Sequence, residues 1–303
     1  MKLKVSKVND FEVKLPLVHI DPKIKWKGDH LFSHPFLTTF LCAKSNSGKT
    51  SVIYNIIKEC TDNRTQVYIF SPTSLHDKMW GAIQDYLKSK KYYFHVFTEV
   101  KVAGTSLVKV LKDVLLDSHE DEEADIQRLV DALEGEGEID SGDERPELDL
   151  TKKCKDTIKC PNERVKKQRK KKEPPYKVPR ILCIFDDLSS QLRGQEFSDF
   201  CKLNRHTETK VIFSSQFCHD ISPSTWQQLG YVLIFKGIGN VKLKEIYDRI
   251  SPCMSFDQFQ SLYEFATKDK YNFFYISLVD WEYRKNFNLQ LNAINSDDDD
   301  NEE

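Results

Sequence analysis

No stretch of this 303-residue chain approaches the roughly 18 uninterrupted apolar residues of a membrane-spanning helix, which excludes a spanning role. The opening residues, MKLKVSKVNDFEVKLPLVHI, lack the apolar centre and small-residue cleavage site of a secretory signal, so none is expected. Cysteine lacks a framework: eight are scattered, some inside apolar runs (Cys42, Cys183), as in reduced intracellular proteins. Cys154 and Cys160 lie in a basic stretch without a second ligand pair nearby, which argues against a metal there. With 39% hydrophobic and 12% aromatic residues, wholesale disorder is excluded, and one large α/β domain with additions is expected.

A net charge of only −2 hides strong local polarity. Asp117 to Asp149 carries fifteen acidic residues against two arginines, and Lys152 to Arg180 carries thirteen Lys and Arg against three acids. Apolar periodicity is missing from most of both, although IQRLVDAL (Ile126 to Leu133) has the spacing of a turn or two of helix. The expectation is a domain made of 36–116 and 179–290, preceded by an N-terminal extension (1–35). An acidic-then-basic disordered insertion (117–178) interrupts it and an acidic disordered tail (291–303) follows. The run RVKKQRKKK reads as an import address, as a nucleic-acid contact, or as the charge partner of the acidic block beside it. Aromatics are not interleaved with its lysines, so a base-stacking surface is not indicated.

Elsewhere strand-like and helix-like patterns alternate. FLTTFLCA, QVYIFSP, YYFHVF, RILCIFDD, KVIFSS, YVLIFK and NFFYISLV are short apolar runs, and segments of helical period such as SVIYNIIKEC, KMWGAIQDYLKS and EFSDFCKLNR separate most of them. Such runs predict a mainly parallel sheet covered on both faces by helices. WEYRKNFN (Trp281 to Asn288) mixes aromatics with Arg284 and Lys285, which suits a contact with DNA or a neighbouring subunit, but a solvated strand exit is the expectation.

The most specific motif is Ala43-Lys44-Ser45-Asn46-Ser47-Gly48-Lys49-Thr50, followed by Ser51. It matches G-x-x-x-x-G-K-[ST] except that alanine holds the first glycine position. Between a strand and a helix, such a loop wraps backbone N–H groups around phosphates at the positive helix end. Gly48 allows close approach, Lys49 reaches the β- and γ-phosphates, and Thr50 offers its hydroxyl to Mg²⁺. In ILCIFDD two carboxylates emerge at a strand's C-terminal end: Asp186 is expected to hold Mg²⁺, and Asp187 to act as general base on water. The alternative for the pair is a helix N-cap. KVIFSSQ ends in Ser214, Ser215 and Gln216, whose amide suits a water or a γ-phosphate. Arg205, just upstream, suits either a contact with a neighbouring subunit's nucleotide or a helix C-terminal cap.

With these motifs in order, the chain resembles the poxvirus-type genome-packaging ATPases of large DNA viruses, virophages and Polinton-like elements, within the FtsK–HerA group of P-loop motors. The resemblance runs through HPFLTTFLCAKSNSGKTSVI, VYIFSPT, ILCIFDDL and NRHTETKVIFSSQ, and more loosely to Asp280. Ala43 and the charged insertion depart from the family's pattern. The resemblance implies a RecA-like fold, ATP and Mg²⁺ as cofactors, and a homo-oligomeric ring around double-stranded DNA. It also implies capsid proteins as partners and an intracellular setting, in the host nucleus, a cytoplasmic viral factory or the virion. The residues alone leave two rivals open, a P-loop small-molecule kinase and a nucleotide-gated DNA-binding or assembly protein with little turnover.

Overall fold

The computed structural model describes residues 25–102, 105–106, 108–109, 111–112 and 176–292. Most of the charged insertion, IQRLVDAL, Cys154 and Cys160, the first 24 residues and the acidic tail lie outside this set. Among the described residues no helix is long and apolar enough to cross a membrane.

In chain order the elements begin with β1 (Lys25–Trp26), β2 (Thr38–Cys42), α1 (Lys49–Cys60), β3 (Gln66–Phe70), α2 (Lys78–Ser89) and β4 (Tyr93–Phe97). The short strands β5 (Lys101–Val102), β6 (Thr105–Ser106) and β7 (Tyr176–Lys177) precede β8 (Ile181–Asp186). Then follow α3 (Gln195–Leu203), β9 (Thr209–Ser215), α4 (Pro223–Trp226) and β10 (Leu229–Phe235). The last are α5 (Asn240–Ile250), α6 (Phe256–Ala266), β11 (Phe273–Ser277), β12 (Glu282–Lys285) and β13 (Leu289–Leu291). Among the described residues nine strands form the main sheet in the order β13-β12-β11-β10-β2-β9-β8-β3-β4. From β10 to β4 every neighbouring pair is parallel. In β2, β8, β9 and β10 every residue is buried, the pattern of strands covered on both faces.

The two-residue period of a strand sorts these side chains. Phe40, Cys42, Cys183, Phe185, Val211, Phe213, Val232 and Ile234 face one core, which α3, α5 and α6 cover with residues such as Phe197, Leu243 and Phe259. Leu41, Leu182, Ile184, Ile212, Tyr231 and Leu233 face the other, covered by Ile53, Ile56 and Ile57 of α1 and by Trp80, Ile83 and Leu87 of α2. The mainly parallel, doubly covered sheet expected from the sequence is therefore present.

Two segments depart from expectation. NFFYISLV forms β11, which runs antiparallel to β10. Two helices, not one, lie between these strands, so the chain reverses an odd number of times and comes back in the opposite sense. WEYRKNFN is not a solvated exit. After a tight turn in which Ser277 Oγ accepts from Asp280 N (3.2 Å), it forms β12, pairs antiparallel with β11 and buries Tyr283. At the other end of the insertion, Tyr176 and Lys177 pair in parallel with Lys25 and Trp26. Leu31 and Phe32 of the N-terminal segment are buried in the α1-side core.

Candidate nucleotide-binding site

The phosphate-loop motif joins β2 to α1. Ala43 N donates to Ser215 O (3.2 Å), which fixes the start of the loop against the end of β9. Asn46 (φ 60°) and Gly48 (φ 93°) turn the chain through the left-handed region into α1. Gly48 is demanded twice: for its φ, and because a Cβ there would lie 3.1 Å from Cδ1 of Tyr271. Lys44, Ser45 and Asn46 are exposed, Thr50 is half-buried and Ser51 exposed at the start of α1, and Lys49 is buried.

Strand alternation brings the acids to the loop. Residues 182, 184 and 186 of β8 and 212 and 214 of β9 share the α1 face, so Asp186 and Ser214 point toward Lys49. Lys49 Nζ lies 3.0 Å from Asp186 Oδ1 and 3.4 Å from Ser214 Oγ, and it also contacts Asp187 Oδ2. Ser214 Oγ in turn donates to Asp186 Oδ1. Asp187 should by alternation point to the opposite face, but its φ of 54° swings the carboxylate back to Lys49, and its N–H donates to Ser214 Oγ (3.3 Å). Neither aspartate caps a helix: Leu188 is the N-cap of the short 3-10 helix Ser189–Arg193, and Gly194 that of α3. Gln216 Nε2 lies 3.4 Å from Ser45 Oγ, while Lys242 Nζ donates to Gln216 O (3.3 Å) and stacks 3.8 Å over the Phe217 ring.

Three motifs far apart in sequence thus meet at the C-terminal end of the sheet, where ligands gather in open parallel sheets. Arg205 does not join them. It is exposed beyond α3, next to Asn204, whose Nδ2 donates to Thr38 Oγ1 (2.8 Å) at the start of β2, at the opposite, N-terminal end of the parallel strands. Nor is it the residue that ends α3, which is Asn204.

The donor set fits a magnesium nucleotide. One lysine and two carboxylates leave a surplus negative charge in a largely buried spot, which a divalent cation offsets. In the loop itself, Ser47 Oγ is buried with no hydrogen-bond partner among the described residues, an oxygen available to a ligand. Sequence reasoning missed Trp80, Lys242 and Tyr271. Each belongs to a segment far from the motifs, and only the strand order brings it to the site.

With β9 inserted between the phosphate-loop strand β2 and the acid-bearing strand β8, the fold is that of the RecA-like P-loop NTPases. No protein-family profile matches the chain, and no curated protein is similar to it. Among solved structures it is similar to the DNA-packaging ATPase B204 of Sulfolobus turreted icosahedral virus, with 13% identity over 86% of this chain and 99% of that one, at a TM-score of 0.45. It is likewise similar to the genome-packaging NTPase B204 of Sulfolobus turreted icosahedral virus 2 in complex with AMP, with 12% identity, 82% and 96% coverage and a TM-score of 0.44. For the AMPPCP complex of the same protein the values are 13%, 82%, 96% and 0.42.

Proposed function

We propose that this chain is a Mg²⁺-dependent ATPase that moves double-stranded DNA into a viral or virus-like capsid, working as a homo-oligomeric ring. The observation that carries the ATPase part is the convergence on Lys49: the loop lysine touches both Asp186 and Asp187, and Gln216 reaches the same loop through Ser45. The DNA-packaging part is supported by the resemblance of the four motif segments to packaging motors. In this reading Ala43 to Ser51 cradle the phosphates, and Lys49 moves from the carboxylates to the β- and γ-phosphates of ATP. Thr50 and Asp186 would hold Mg²⁺, which would supply positive charge beside the phosphate oxygens. Asp187, released by Lys49, takes a proton from the attacking water. Gln216 orients that water, and Lys242 holds Gln216 in place. Arg205, beyond the N-terminal end of the parallel strands, serves the site of the neighbouring subunit in the ring. Capsid proteins are the docking partners, and the nucleus, a cytoplasmic viral factory or the virion is the place of action.

Phosphate release from ATP, measured with and without long double-stranded DNA, tests this. Hydrolysis stimulated by DNA and lost at least 100-fold in Lys49→Ala is the expected result. Because that substitution leaves two carboxylates facing each other, it is also expected to cost about 3 kcal/mol of stability, so circular dichroism must accompany it. Phosphate appearing on a small acceptor would mark a kinase instead. Binding without turnover in the presence of DNA would overturn the motor.

A further inference from the structure

Trp80 heads the fully buried side chains by volume, and its indole N–H is a donor with no acceptor capacity. A buried donor needs a partner, and this one has Asp186 Oδ2 at 3.2 Å. The contact follows from the sheet. β3 lies beside β8 with Phe70 opposite Phe185, so the connection from β3 to α2 runs next to the residue that follows Phe185. That connection is fixed by its own bonds: Ser74 Oγ donates to Ser71 O (2.8 Å), Gln84 Nε2 to Ser74 O (3.1 Å), and Asp77 caps α2 by accepting from Met79 N (2.7 Å). Ile83 and Leu87, at helical spacing from Trp80, seat the same face of α2 on the core.

A carboxylate at the end of a strand turns freely about χ2 unless both oxygens are held. Here Oδ1 is engaged by Lys49 and Ser214, and Oδ2 by the indole. Hydrogen bonds to an ionised acceptor are the stronger kind, and a ligand held by its outer neighbours keeps its geometry before the metal arrives. Resting on the nucleotide-site reading above, we infer that Trp80 is a positioning residue for the divalent cation: its N–H sets the plane of Asp186 so that this carboxylate and Thr50 receive the ion together.

The test replaces Trp80 with β-(3-benzothienyl)alanine, which keeps the shape of the ring system and puts sulfur where the N–H stood. Trp80→Phe serves as a second variant. Mn²⁺ binding is followed by electron paramagnetic resonance in the presence of AMPPCP, with AMPPCP affinity without metal and thermal melting measured alongside. The expected result is Mn²⁺ affinity lower by about 10–100-fold in both variants. AMPPCP affinity without metal stays within about 2-fold, and the benzothienyl protein still unfolds in one cooperative transition, at a melting temperature lower by about 3–10 °C for the lost hydrogen bond to the carboxylate. Wild-type Mn²⁺ affinity in the benzothienyl protein would reduce Trp80 to a space-filler and overturn the inference while leaving the nucleotide site intact. Failure of the wild-type chain itself to bind Mn²⁺ with AMPPCP would remove the nucleotide site and the inference together.

Discussion

Lys49 and Lys210 are both lysines held inside the sheet, and they are held in opposite ways. Lys49 lies between two carboxylates. Lys210 enters β9 on the same face, is 1% exposed, and has no hydrogen-bond partner for Nζ among the described residues; Nζ sits 3.8 Å over the Phe32 ring. Burial draws its pKa down from 10.5 to about 8. The sign follows from proton counting. Between pH 8 and 10.5 the unfolded chain binds the proton more readily than the folded one, so this lysine's contribution to stability rises with pH there; below pH 8 its full penalty applies. The difference corresponds to about 3 kcal/mol. Lys210→Met is therefore expected to stabilise the protein by about 1–3 kcal/mol at pH 7, with the cation–π contact offsetting part of the gain. Urea unfolding of both proteins should show the gain shrinking toward pH 10. A constant difference across that range would show that the lysine is solvated. In the sequence Lys210 reads as the polar entry of a strand; its burial depends on Phe32, 178 positions earlier, and no local pattern carries that.

At the scale of elements, the period of two and the helical period were legible wherever the core is regular. KMWGAIQDYLKS is α2 to the residue, and the helix after the phosphate loop begins at Lys49 as the motif requires. Legibility ended where direction or neighbourhood decides. Antiparallel β11 follows only from counting the reversals through α5 and α6, and β12 reads as an exit because Glu282, Arg284 and Lys285 carry charge. The site was readable as motifs, since each sits at a strand end with a turn signature. Its supporting residues were not, because Trp80 meets Asp186 only once β3 lies beside β8. The connection between α5 and α6 uses Ser251 in the left-handed region (φ 46°) and a capping box in which Ser255 accepts from Gln258 N and Gln258 Oε1 accepts from Ser255 N. Ser255→Ala removes one half of that exchange and is expected to cost about 1 kcal/mol, read as a lowered urea midpoint with unchanged slope. A changed slope would mean that α6 frays altogether.

At the scale of the molecule, the strand order interleaves the two sides of the insertion. Residues before it supply β2, β3 and β4; residues after it supply β8, β9 and β10. Yet β2 lies between β10 and β9, and never touches β3. The phosphate loop thus comes from the first half of the chain, the carboxylates from the second. Fragments 1–112 and 176–303, produced together, are expected to copurify and to bind AMPPCP, while the first alone remains insoluble. Recovery of either fragment alone as a folded monomer would contradict this. The same order sets a schedule for synthesis. Strands β3 and β4 can pair as soon as they leave the ribosome, but the strand that carries the phosphate loop gains its first neighbour, β9, only after translation has passed Ser215, and its second, β10, only after Phe235. A half-made chain therefore cannot assemble this site, and nucleotide becomes a ligand only near the end of synthesis.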